Sequence, residues 1–135
     1  MSTLEQIFFP DLSCLAKVDL RTKYNYAMKW SDAVLTVDLA TATTDKPAGV
    51  LTRANNITLD VAIRCYGLAA GITGASVTIG DSLTVDGAGK FVTAVPISNA
   101  NVWCWGFARA TAGGTGELIT IFLFPHVYAG VAGSS

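Results

Sequence analysis

Few residues in this chain are of a type that performs bond chemistry. His126 is the only histidine. It follows Pro125 at the end of an apolar run, and one imidazole cannot complete a multi-histidine metal site, so its position predicts a surface or interface role. General acid–base catalysis recruits a histidine or a pair of carboxyl groups held in a pocket. Asp81 and Asp86 are the nearest such pair. Both stand at turn positions, Gly80-Asp81 and Asp86-Gly87, where aspartate is favoured because it bonds its own backbone. Cys14, Cys65 and Cys104 are odd in number and widely spaced, which predicts small buried hydrophobes and neither a disulfide framework nor a zinc site. The glycine-rich segments fail as phosphate loops. Gly87-Ala88-Gly89-Lys90 has a Gly-Lys step, but Thr84 stands where the opening glycine belongs and Phe91 replaces the required Ser or Thr. Gly114-Thr115-Gly116 leads to Ile119 where a dinucleotide fingerprint needs glycine. Asn56-Ile57-Thr58 matches a glycosylation acceptor, which matters only in a secreted chain. The expectation is a non-enzyme with no catalytic, cofactor-binding or metal-binding residues.

Composition narrows the classes further. The 135 residues carry 9 Lys+Arg and 10 Asp+Glu, a charged fraction of 14%, against roughly 25% in an ordinary soluble domain. A monomer of this mass would spread each charge over about 350 Å² of surface. Such a surface is sticky, and burial against other chains would relieve it. Apolar residues make up 51% and the mean hydropathy is +0.45, yet no apolar run approaches the roughly 20 residues that a spanning helix needs. Disorder requires low hydrophobicity with high net charge, and the formal net charge here is −1. Lys and Arg are scattered singly, so phosphate neutralisation along a nucleic acid is not expected. Neither a nucleic-acid partner nor a membrane is expected. The first 30 residues mix Glu5, Asp11, Lys17 and Asp19 among short apolar pieces and contain no signal-peptide core, which predicts synthesis in a reducing cytoplasm.

The elements that would carry any site are strands. Leu35, Val37 and Leu39 alternate with Thr36 and Asp38. Likewise Leu59, Val61, Ile63 and Cys65 alternate with Thr58, Asp60, Ala62 and Arg64. This period of two predicts half-buried strands. The best helical candidate, around Leu12, Leu15 and Ala16, covers little more than a turn. Thr43 to Gly49 and Gly67 to Gly74 read as turn clusters, followed by short strands at Ser76–Ile79 and Ser82–Val85. Asp86-Gly87 signals a hairpin returning through Lys90–Val95. A second hairpin is predicted from Asn101–Ala110 and Glu117–Pro125, around Thr111–Gly116. Short strands with glycine-rich turns predict an all-β, single-domain β-barrel or β-sandwich over 13–128. Residues 1–12 read as an extended N-terminal arm and 129–135 as a flexible tail.

Two features of the last hairpin point outward. Alternation places Trp103, Trp105 and Phe107 on one face of its first strand. The second strand, Leu118 to Phe124, is apolar on both faces, which predicts a central position under two layers or a face covered by another subunit. The aromatic stripe has three readings: core filling, a sugar-stacking platform, or a protein interface. With Phe122 and Phe124 it forms the expected self-association surface.

The ordered combination of several segments resembles the capsid cement, or head decoration, proteins of tailed bacteriophages. The segments are Asp19-Leu20 with Lys23-Tyr24-Asn25-Tyr26, and Asp45-Lys46-Pro47-Ala48-Gly49-Val50-Leu51. Val61 to Gly67 and Thr78 to Asp86 follow, then Gly89-Lys90, Trp105-Gly106-Phe107-Ala108, and Gly116-Glu117-Leu118-Ile119-Thr120-Ile121 through Pro125. The resemblance spans residues 13 to 128. The aromatic-rich first ten residues and Trp103-Cys104-Trp105 depart from it. It implies a non-enzymatic structural protein on the outside of the head shell, commonly a homotrimer, that binds the major capsid protein and secures capsid contacts against internal pressure. Leu4, Ile7, Phe8, Phe9 and Leu12 are then the expected capsid-contact arm. The competing readings are another virion β-module, such as a tail or baseplate subunit, and a carbohydrate-binding β-sandwich using Trp103 and Trp105.

Overall fold

The computed structural model describes residues 11–54, 60–95 and 101–129. Every regular element among them is a strand. In chain order these are β1 (Leu12–Ala16), β2 (Ala27–Trp30), β3 (Thr36–Leu39), β4 (Pro47–Ala54), β5 (Asp60–Arg64), β6 (Gly67–Ile72), β7 (Ser82–Val85), β8 (Phe91–Thr93), β9 (Asn101–Ala108) and β10 (Leu118–Ala129). The first five close a barrel in the order β1-β3-β2-β4-β5, and the last five form a sheet in the order β6-β10-β9-β7-β8. The all-β expectation holds, with barrel and sheet combined in one chain.

The barrel closes because β1 pairs on both sides, antiparallel to β5 (Cys14 opposite Val61) and parallel to β3 (Ala16 opposite Val37). Its interior is small and apolar: Cys14, Ala16, Leu20, Met28, Val37, Ala48, Leu51, Val61 and Ile63. A second core lies beneath the sheet. Ile119, Ile121 and Leu123 of β10 pack there with Trp105, Leu83, Val85 and Phe91, and the barrel contributes Ala27, Ala40 and Val50. Trp105 and Phe91 meet edge to face with ring centroids 6.1 Å apart. Barrel and sheet therefore share this second core.

Several local expectations change. The weak helical candidate at Leu12–Ala16 is β1, because barrel closure uses its backbone in two ladders. Leu12 is thus the first residue of the barrel and not the last of an arm. Leu35 is not a strand residue; it lies in a left-handed turn at φ 48° and is 53% exposed. The segment read as turns from Gly67 is β6, which pairs with β10 over six positions from Leu118–Ile72 to Leu123–Gly67. Its glycine content has a packing reason, since a Cβ on Gly71 would stand 2.8 Å from the Phe91 ring. Gly49 belongs to β4 and not to a turn, and a side chain there would strike the Arg64 carbonyl. Ser76–Ile79 forms no strand, only a bridge from Val77 to Ala112.

Both hairpins form. In the first, the Asp86 carboxylate accepts the amides of Ala88 (2.8 Å) and Lys90 (3.0 Å), and the left-handed residue is Gly89. The Gly89 carbonyl accepts Ala27 N–H at 2.8 Å, tying this hairpin to the barrel. In the second, β10 runs past the expected end at Pro125. The register shifts by one residue between Leu123–Gly106 and His126–Cys104, a bulge that absorbs a proline unable to donate to the ladder.

The thiols sit as expected for small hydrophobes. Cys14 and Cys104 are buried and Cys65 half-buried. Burial pushes the Cys14 thiol up to about 11 from 9.0, with the neighbouring Cys65 and Asp60 adding to the rise. Because the folded value lies above the unfolded one, Cys14 stabilises the fold below pH 9 and this contribution fades as pH rises through 11. Native protein is expected to label with a thiol reagent at Cys65 first, with Cys14 and Cys104 modified only under denaturant; rapid native labelling of Cys104 would contradict its burial. Gly106→Ala, whose Cβ would strike the Phe122 carbonyl, is expected to lower unfolding free energy by about 3 kcal/mol. Gly87→Ala, with open space around it, should stay within about 0.5 kcal/mol in the same urea titration.

Candidate functional site: an open aromatic sheet face

β10 divides its apolar residues between two surfaces. Ile119, Ile121 and Leu123 are buried in the shared core, whereas Leu118 is 61% and Phe124 46% exposed and Phe122 is half-buried. The two-sided strand thus has one face inside and one face open. Phe107 on β9 stands directly opposite Phe122, and directly opposed residues share a sheet face. Tyr66 joins them, edge to face with Phe122 (5.6 Å between centroids) and with Phe124 (6.0 Å). His126 completes the row, stacked on Phe107 at 5.8 Å and tilted against Phe124 at 5.5 Å. A shallow groove of about 570 Å³ runs along this face, lined by Leu68, Gly80, Phe107, Ala108, Arg109 and Phe122.

This face is aromatic and apolar. His126 Nδ1 donates to the Phe124 carbonyl at 2.7 Å, so the imidazole is held flat among aromatics and faces no carboxylate among the described residues. Asp81 Oδ2 accepts the amide of Thr78 (2.9 Å) and the hydroxyl of Thr93 (3.0 Å), and Asp86 closes its hairpin. Both carboxylates serve as turn staples. Among the described residues no group of three or more His, Cys, Asp or Glu side chains is placed to hold a metal ion.

Of the expected self-association residues, the structure brings Phe107, Phe122 and Phe124 together and removes Trp105. Trp105 is fully buried, at 0% exposure, against Phe91, and can be neither an interface residue nor a sugar platform. The bulge opposite it breaks the simple alternation that put Trp103, Trp105 and Phe107 on one face. Trp103 is half-buried, opposite Val127, with its amide bonded to the Thr43 carbonyl at 2.9 Å. Leu118 lies in the strand expected to meet another subunit, whereas Tyr66 and Leu68 were not anticipated on this face. Tyr66-Gly67-Leu68 carried a signal in its aromatic and aliphatic residues, masked by the glycines that follow.

Of the expected arm, Leu4, Ile7, Phe8 and Phe9 lie outside the described residues, and Leu12, 36% exposed, sits in β1. Asp11 is anchored immediately before it. Its carboxylate accepts Arg64 Nε at 2.8 Å and the Thr52 hydroxyl at 2.7 Å, while Arg64 Nη1 donates to the Leu68 carbonyl at 3.1 Å. This clasp joins the start of the described chain to the edge of the aromatic face.

No protein-family description matches the chain, and no curated protein matches it in sequence. Among solved structures, its fold is similar to that of the N base of head fibre gp8.5 in bacteriophage phi29. The TM-score is 0.62 at 19% identity, and the alignment covers 85% of this chain and 93% of the other. The two chains share an architecture.

The division of β9 and β10 into core and open face has a direct check. Trp105→Ala is expected to cost about 3 to 5 kcal/mol of stability, and Phe124→Ser less than about 1 kcal/mol, measured by denaturant unfolding of the isolated chain. Similar costs for both would mean that Phe124 is part of the core.

Proposed function

We propose that this chain is a capsid cement protein of a tailed bacteriophage. It is a non-enzymatic virion component that sits on the outer surface of the head, associates as a homotrimer and braces major-capsid contacts against internal pressure. The observation that carries this reading is the open aromatic face of Tyr66, Phe107, Phe122, Phe124 and His126 on a charge-poor chain. Exposed apolar patches of this kind mark interaction surfaces, and aromatic residues are enriched at interface centres. The shared architecture with a phage head fibre base, and the ordered segments that resemble cement proteins, favour the head over the tail or baseplate.

In this reading the face built from Phe107, Phe122 and Phe124 forms the contact between copies. Leu4, Ile7, Phe8 and Phe9 grip the major capsid protein, and the Asp11–Arg64 clasp anchors their root. Many copies bridging neighbouring capsid subunits turn modest contacts into stable attachment through effective concentration.

Deleting residues 1–10 should leave the unfolding curve unchanged and reduce occupancy on heads; unchanged occupancy overturns the arm assignment. Phe122→Ser with Phe124→Asp should convert a sedimenting trimer to monomer without unfolding it. A wild-type chain that remains monomeric in solution and on particles would defeat the self-association reading. Particle imaging that places the chain on the tail would defeat the head assignment.

A further inference from the structure

At the end of the barrel where β1 and β2 finish and β4 begins lies a polar cleft of about 380 Å³, far in chain position from the aromatic face. Trp30, Lys17, Lys29, Asp32, Asp38 and Lys46 line it, together with Ser31, Thr44 and Asp45. Its size falls within the range of small-ligand sites, which recur at the mouths of β-barrels. We propose that this cleft binds a neutral saccharide.

The argument starts from Trp30. It packs against the barrel core from the last position of β2 and lines the cleft, so a half-buried indole offers apolar surface of the kind that meets the C–H side of a pyranose. Around it stand three lysines and three aspartates, a balanced set that favours a neutral ligand over a polyanion. One pair is structural. Lys29 Nζ lies 3.6 Å from Asp45 Oδ2, and that carboxylate also accepts the amides of Thr41 (2.9 Å) and Ala42 (3.0 Å). Three of the four remaining charged groups are uncommitted, and the Ser31 hydroxyl accepts the Ala33 amide at 3.2 Å. Among the described residues no hydrogen bond or ion pair engages the side chains of Lys17, Asp32 or Lys46, and Asp38 uses one oxygen on the Leu39 amide at 2.8 Å. Free ammonium donors and free carboxylate acceptors set around an aromatic wall match the alternating hydroxyl donors and acceptors of a sugar ring. This saccharide site is separate from the Trp103 and Trp105 platform and independent of the capsid assignment.

The test is an amide and indole NMR titration of the full chain with two neutral probes, a β-1,4-linked tetramer of N-acetylglucosamine and an α-1,4-linked tetramer of glucose. At least one is expected to shift the Trp30 indole N–H and the amides of Ser31, Asp32 and Lys46, with a Kd of about 1 mM or tighter. The shifts should persist in high salt, because no net charge is neutralised. Trp30→Ala should weaken binding at least tenfold, and Trp30→Tyr should retain most of it. Asp32→Asn, exposed and outside the core, should weaken binding while the chain stays folded. Absence of shifts from both probes at about 10 mM, or shifts centred on Phe107 and Phe122, overturns the proposal. A mixed Lys-Glu tetrapeptide that moves the cleft signals while neither sugar does would assign the cleft to a protein partner and overturn it too.

Discussion

The structure depends on the seam where the barrel meets the second sheet. Ala27, Ala40 and Val50 present short side chains to the inner face of β10 and β9, and only short side chains let the two layers approach closely enough for Phe91 and Trp105 to fill the space between them. Backbone contacts reinforce the seam: Ala27 N–H to the Gly89 carbonyl, Ile72 N–H to the Asn25 carbonyl, and Trp103 N–H to the Thr43 carbonyl. Were the seam to open, β6 would lose the Asn25 carbonyl that accepts its Ile72 amide, and the sheet would expose both faces of β10. The aromatic outer face exists as a defined surface because the inner one is anchored.

How much of this was legible follows from which signals are local. β-branched alternation in Val61 and Ile63, the Asp86-Gly87 turn and the apolar run of β10 act over a few residues, and each appears in the fold close to where periodicity puts it. β6 was hidden, because Gly67-Leu68-Ala69-Ala70-Gly71-Ile72 has no strand propensity of its own. It becomes a strand through pairing with β10 and through Phe91 needing the space above Gly71, and both causes are remote in sequence. Trp105 was misplaced for a related reason. Strict period two holds only in an uninterrupted ladder, and the bulge near Pro125 resets it. The open face was visible as a two-sided apolar strand, but its full membership was not, since Tyr66 meets Phe122 and Phe124 beside the pairing of β6 with β10, which no window of sequence contains.

The same chain therefore makes two surfaces of opposite character from one architecture. The sheet side carries aromatics with few charges: Arg109 lines the groove beside Phe107 and Phe122. The barrel end carries balanced lysines and aspartates about Trp30. An exposed apolar face favours contact with a partner, whereas a balanced polar cleft keeps its charges hydrated while empty. Assembly and open recognition thus place opposite demands on side chains, and a protein that had to serve both from one sheet face would compromise each. With assembly on the sheet and recognition at the barrel end, as proposed, that conflict would not arise. The seam of small residues holds the two surfaces in fixed relation, so a shell contact made by the sheet would leave the barrel end presented in a defined direction.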